Sequence, residues 1–384
     1  MGPDDPNRNA GMARGWCPDA WRPMMAGDGL LMRVKPRHAR LTPEAMAVLG
    51  KVAMTYGNGL IDLTRRANVQ IRGVAAQHWR VLLDDLLAHD LVDACPVREG
   101  QRNILVTPCW RTDDDSHRIA TDIMGRLNDL PGLPGKVGFV IDAGAGRLLA
   151  EEPGDFRVER SRDGHLILRA DGHATGIRVE RETAADGLIA IARWFVESGG
   201  ARSGRMARHP APLPQWASGT DHPAPALPML LPGPLDMGVA YGVAFGRMKA
   251  ATLLQLADMQ GTSAVRVTPW RTLVVEGDSQ ILRHADLTTD PAAPLRRVDA
   301  CPGMPACGQA SVETRQIAMR LAAKVAGSLH VSGCPKGCAR SARADVMLTG
   351  RNGAYDLALN ATTGTAPLHT GLDRNRLLSH FGAC

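Results

Sequence analysis

Residues 57–73 align without a gap on residues 261–277, with glycine at both ends, Thr64 on Thr268, and apolar side chains at matching alternate positions between them. Alternation of period two puts every second side chain on one face, the mark of a half-buried strand, and two such runs around a short turn make a paired-strand unit. The unit occurs twice, so the chain is read as an internal duplication. Two pseudo-equivalent halves leave a cleft between them, a natural seat for a bulky ligand. The flanking patterns repeat as well. In the first half a strand is predicted at 30–34, then a helix capped by Thr42, with Pro43 at its first position, running toward Gly57. Strands follow at 60–63 and 69–71, and a helix over 78–89. The second half offers a strand at 236–243, a helix over 248–259 and two short strands.

At 384 residues the chain is long enough for several cores. The periodicities divide it into an arm (1–26), a first half-repeat (27–93), an α/β segment (94–198), a linker (199–234), a second half-repeat (235–295) and a C-terminal module (296–384). Within 94–198 the pattern predicts a helix over 117–127, a strand at 136–141, a hairpin turning through 161–164 and a helix over 181–198. The linker is read from its prolines at 210, 212, 214, 223, 225, 228, 232 and 234. Apolar residues at 44% and charged ones at 22% describe an ordinary water-soluble protein, and no stretch approaches a membrane span. The opening residues lack the apolar run of a signal peptide, which points to the cytoplasm. The net charge of +6 is scattered without a Lys/Arg block, which speaks against a nucleic acid partner. It suits a small polyanionic substrate, whose local concentration a basic cleft would raise.

Four of the eight cysteines form two close pairs, Cys301-x5-Cys307 and Cys334-x3-Cys338, with 26 residues between the pairs. A 4Fe-4S cube takes one thiolate per iron and needs four sulfurs from short, stiff segments, which these are. Pro302, Gly303 and Pro305 stiffen the first loop and permit close backbone approach. Pro335 is placed as the first residue of a helical turn, which would bring Cys334 and Cys338 to one side and turn a helix N-terminus toward the anionic cube. Zinc also accepts four thiolates, but its structural sites favour Cys-x2-4-Cys knuckles, which the x5 spacing fits poorly. Disulfides would need an oxidising compartment. Cys17, Cys95, Cys109 and Cys384 show no short mutual spacing and are read as ordinary residues, with Cys17 the one to watch.

Together these landmarks resemble the nitrite and sulfite reductase superfamily over nearly the whole chain. The resemblance implies an α+β fold of duplicated ferredoxin-like modules with two α/β modules that bind cluster and tetrapyrrole. It implies that Cys301, Cys307, Cys334 and Cys338 ligate the 4Fe-4S cluster, the last of them bridging it to sirohaem iron in that superfamily. Met32, Arg33, Val34 and Lys35 look like the family's first basic motif, and residues 63–73, with Arg66, like its second. Residues 133–138 resemble the third, where Lys136 is kept but the second polar residue has become Gly138. By this likeness Arg33, Arg66 and Lys136 face the tetrapyrrole, and Lys35 and Arg72 are further candidates to bind its carboxylates.

Within the superfamily the likeness is to the precorrin-3B synthase family. It is carried by Gly15, Trp16, Cys17 and Pro18, by Pro23 and Met24, by Gly27, Asp28 and Gly29, by Gly57, Asn58 and Gly59, and by residues 330–338. The implied activity is an O2-dependent monooxygenation of precorrin-3A at C20, with a γ-lactone closing at C1. Its implied cofactors are the 4Fe-4S cluster and a second, non-haem iron; its implied partners are precorrin-3A, O2 and an electron-donating reductase or NAD(P)H system. No histidine is singled out as an iron ligand and no catalytic residue is assigned, although His330 stands near the second cysteine pair. The alternative within the superfamily is a small sirohaem-dependent nitrite or sulfite reductase. From another class comes a tetrapyrrole carrier or electron-transfer module without catalysis.

Overall fold

The computed structural model describes residues 18–278 and 280–383, so Cys17 and Cys384 lie outside the described residues. Each half-repeat builds a sheet along a path of five strands, the second sheet with Leu287–Thr288 added beside Gly238–Val243, and each path finishes with a strand lent by the other half. The first runs Met24–Ala26, Gly29–Val34, Val69–Val74 and Leu60–Leu63, then Arg247–Lys249 from the second half. The second runs Gly233–Leu235, Gly238–Val243, Thr272–Gly277 and Thr262–Val267, then Arg40–Leu41 from the first. The exchange is reciprocal, as a duplication with pseudo-twofold symmetry requires. Each lent strand follows a single helical turn with a left-handed residue, His38 (φ 52°) in one half and Phe245 (φ 55°) in the other. The repeated hairpins match in the same way, for Ala67 (φ 53°) and Arg271 (φ 56°) occupy equivalent positions three residues after the shared threonine.

Helix Pro43–Tyr56 begins as its residues dictate, with the Thr42 hydroxyl accepting the Ala45 N–H at 3.2 Å and Pro43 at the first position. It packs on its counterpart, Ala250–Asp258, so closely that a Cβ on Gly50 would sit 2.6 Å from the Leu254 side chain. Met46, Leu49, Ala53, Leu253 and Leu256 form part of one core shared by both halves.

The α/β modules are duplicated too. Strands Ile104–Val106, Phe139–Asp142 and Phe156–Arg160 are parallel, and Leu166–Ala170 and Ile177–Arg178 add antiparallel. Val298–Ala300, Leu329–Ser332 and Ala344–Arg351 are likewise parallel, followed antiparallel by Ala354–Ala361 and His369–Leu372. In a parallel ladder the loops leaving neighbouring strands emerge side by side at the carboxyl edge, where such sheets hold their ligands. The cysteine pairs are on two such loops.

Residues 199–234 are more than a tether. They lie along the first α/β module, bridging Arg147 to Ala226, Ser161 to Pro223 and Gly176 to Asp221, with Met206 and Ala217 in that module's core. Prolines fit there because an edge contact leaves many backbone N–H groups unused. Among the described residues no helix is long and apolar enough to cross a membrane.

Candidate functional site

Cys301 directly follows strand Val298–Ala300, and Cys334 comes two residues after the end of strand Leu329–Ser332, with Gly333 between; Ala300 and Val331 are paired across the two strands. The two loops are stitched together. The Gly333 N–H donates to Cys301 Sγ at 3.2 Å, the Ser311 N–H to the Gly333 carbonyl at 2.8 Å, and the Thr314 hydroxyl to the Cys301 carbonyl at 2.5 Å. Gly333 can be only glycine, since a Cβ would come 2.6 Å from Ala310. Cys301 is buried, Cys307 and Cys334 are half-buried and Cys338 is exposed at the loop's outer end. Partial desolvation raises the Cys338 thiol pKa, and the nearby Cys334, Cys301 and Cys307 raise it further.

The expected helix at Pro335 is absent: residues 334–339 make two turns instead. Gly337 takes φ +62° and breaks any helical run, so no helix dipole faces the second pair. Among the described residues no three His, Cys, Asp or Glu side chains meet closely enough for a single metal ion. That geometry belongs to mononuclear sites, whose thiolates crowd about 2.3 Å from one metal. A cube spreads its thiolates over four irons. The surroundings fit such an anionic group: buried Ser311 Oγ, Arg315 Nε and Nη1, and His330 Nε2 have no hydrogen-bond partner in the protein. The first module's counterpart loop carries a single cysteine, Cys109, beside Trp110, over whose ring the Arg266 guanidinium lies at 3.9 Å.

The five basic residues of the motifs separate into two groups. Arg33 is half-buried and donates to Gln70 Oε1 on the neighbouring strand at 3.2 and 2.8 Å. Arg66 donates to the Lys136 carbonyl at 2.7 Å, with the Lys136 side chain exposed, so the second and third motifs meet. Gly138 belongs to this contact, and a Cβ there would lie 2.9 Å from the Asn103 carbonyl oxygen; the missing polar side chain has no room. Lys35 and Arg72 are interior. The Lys35 ammonium donates to the Glu99 carbonyl at 2.5 Å beside the buried Glu99–Arg102 ion pair, and burial pushes its pKa down to about 8. Arg72 is 4% exposed, ion-paired to Asp28 at 2.6 Å and to Asp62 at 3.6 Å, and within 3.4 Å of the Ala306 carbonyl in the first cysteine loop. Protein partners already occupy both, so neither presents its charge to an open surface, and Arg72 alone of the two reaches the first cysteine loop.

Sequence reasoning missed a cavity of about 660 Å³ that begins immediately after Cys338. Phe245, Trp270 and Leu295 give it an apolar side, and Arg65, Arg271, Arg296 and Arg340 give it cations. These charges are balanced in part: Asp299 holds both Arg271 and Arg340, the latter at 3.0 Å, while Arg65 faces Glu152 at 3.9 Å. His330, paired in register with Asp299, is buried, and desolvation with Arg340 and Arg271 nearby lowers its pKa to about 4. Its imidazole is neutral at physiological pH. The repeat alignment held the one available signal, since it placed Arg271 in the hairpin loop equivalent to that of Arg65 and Arg66.

Residues 22–89 match the model of the nitrite/sulfite reductase ferredoxin-like half domain. The chain is 29% identical to a precorrin-3B synthase from Sinorhizobium sp over 93% of its length and 85% of the relative's. It is 23% identical to a ferredoxin–nitrite reductase from Synechococcus elongatus over 87% of its length and 78% of the relative's. The solved structure of the Mycobacterium tuberculosis NirA protein superposes with a TM-score of 0.61 at 20% identity, covering 90% of this chain and 76% of that one.

Proposed function

This chain resembles precorrin-3B synthase over nearly its whole length and has the fold of the nitrite and sulfite reductases, and from that premise we propose that it is a precorrin-3B synthase: an O2-dependent monooxygenase that hydroxylates precorrin-3A at C20 and closes a γ-lactone. The observation that carries the reading is the pairing of a four-cysteine loop cluster with an arginine-bearing cavity starting next to Cys338. Cys301, Cys307, Cys334 and Cys338 would hold a 4Fe-4S cluster, which supplies electrons one at a time. The cavity lies within the usual size range of small-molecule and cofactor sites. Its apolar side suits the face of a flat macrocycle, and its arginines suit the ring's carboxylates, which they bind through forked, charge-assisted hydrogen bonds. Arg33, Arg66 and Lys136 are assigned to the same ligand from the motif side. The buried, neutral His330 keeps a protonatable group beside the cavity arginines without adding charge.

In a monooxygenation one oxygen atom enters the product and the other leaves as water, with two electrons from a donor. A reductase or an NAD(P)H system fills that role here. The second iron of the precorrin-3B synthase family receives no ligand set in this chain. Gly138 favours this reading over a sirohaem-dependent reductase, because reducing an oxyanion needs several cationic or polar donors around it and one has no space here. The reconstituted protein, given precorrin-3A, a reductant and 18O2, should yield a product heavier by one labelled oxygen. A copurifying sirohaem spectrum with nitrite or sulfite turnover, and no labelled product, would reverse the choice.

A further inference from the structure

Asp62 and Arg72 in the first half-repeat align on Arg266 and Glu276 in the second, so a buried ion pair is repeated with its charges reversed. In the second half Arg266 donates directly to the carbonyls of Pro108 (2.8 Å) and Trp110 (2.5 Å) in the module loop facing it. In the first half that position is an acid, and a cation from the cysteine module comes to meet it. Arg315 opens helix Arg315–Leu321, whose preceding residue, Thr314, is bonded to the Cys301 carbonyl. Its side chain is 15% exposed, with Nη1 3.8 Å from Asp62 Oδ1. Nε and Nη1 are buried without a hydrogen-bond partner. Arg247, at 2.6 Å from Asp62, and Arg72 complete the group, so three guanidinium groups surround one carboxylate on the side of Cys301. The other half, whose loop has only Cys109, gathers Arg40 and Arg266 on Glu276. Asp28, the closer partner of Arg72, offsets one of the three charges, so what sets this half apart is Arg315, a cation that comes from the cysteine module itself.

A buried cation whose donors lack a partner is costly unless an anion is near. An iron–sulfur cluster is such an anion, and its reduction potential follows local charge and N–H donors. We propose that Arg315 is a positioning residue that raises the reduction potential of the cluster held by the Cys301 loop, with Asp62 fixing the guanidinium and moderating its effect. The inference rests on the cluster reading of the four cysteines.

The test is an anaerobic titration of the holoprotein with dithionite and mediators, followed by the electron paramagnetic resonance signal of the reduced cluster. R315Q should retain its iron and sulfide and lose at least tenfold in the reduction equilibrium constant, a fall of about 59 mV for a one-electron couple. R315K keeps the charge and should shift less, whereas D62N should shift upward. An unchanged or higher potential in R315Q would overturn the proposal. So would loss of the cluster in R315Q and R315K alike, which would make the side chain an assembly residue. A wild-type protein without a four-iron cluster would instead remove the reading beneath it.

Discussion

Lys35 carries a charge that the folded protein holds reluctantly. Its side chain is buried, and desolvation lowers its pKa from 10.5 to about 8 against the pull of Glu99 and Asp19. Between those two values the unfolded chain binds the proton more tightly than the native one, so stability rises as pH is raised across that window. Below about pH 8 the penalty stands in full, on the order of 3 kcal/mol at 1.36 kcal/mol per pKa unit. Denaturant unfolding at pH 7, 8.5 and 10 should show a rising stability in the wild type that K35M lacks; parallel profiles would exclude Lys35 as the source. Its burial could not be read from sequence, because the partners that enclose it, Glu99 and Arg102, lie on a segment more than sixty residues away. Arg72 is enclosed by Asp28, on a separate strand-turn, as well as by Asp62 across its own hairpin, and only the pairing of the strands brings the two acids to it. Gly138 was legible as a departure from the motif, but only the Asn103 carbonyl explains why nothing larger fits.

At the scale of elements, local rules carried far. Thr42 and Pro43 announce their helix, and the alternation of residues 60–63 matches strand Leu60–Leu63. The lent strands Arg40–Leu41 and Arg247–Lys249 were silent, since two or three residues carry no period of their own and their pairing comes from the opposite half. Pro335 suggests a helical start, but the chain turns there instead because Gly337, in its left-handed conformation, outweighs the proline's preference. The contact between helices Pro43–Tyr56 and Ala250–Asp258 joins the halves through Gly50. Filling it with Gly50→Leu should destabilise the protein by about 1–3 kcal/mol, the usual cost of overpacking, despite leucine's better helix propensity. A thermal melt would measure this, and a raised melting temperature would show that the helices can part without cost.

For the whole molecule, duplication explains why the candidate site lies where it does. Reciprocal strand exchange locks the half-repeats together, and each α/β module presents its parallel-strand loops toward that pair. One module supplies four cysteines there and the other supplies Cys109. The cysteine spacing singles out two loops, but the cavity after Cys338 is assembled from Arg65, Arg271, Arg296 and Arg340, which no short window of sequence brings together. The central claim is that Cys301, Cys307, Cys334 and Cys338 grip one iron–sulfur cube. Its most direct measurement is the iron and acid-labile sulfide content of the anaerobically purified protein beside that of Cys334→Ser. About four of each per wild-type chain, with loss of both from the variant, is the predicted result. A variant that keeps the full complement, or a wild type that holds none after reconstitution, would contradict it.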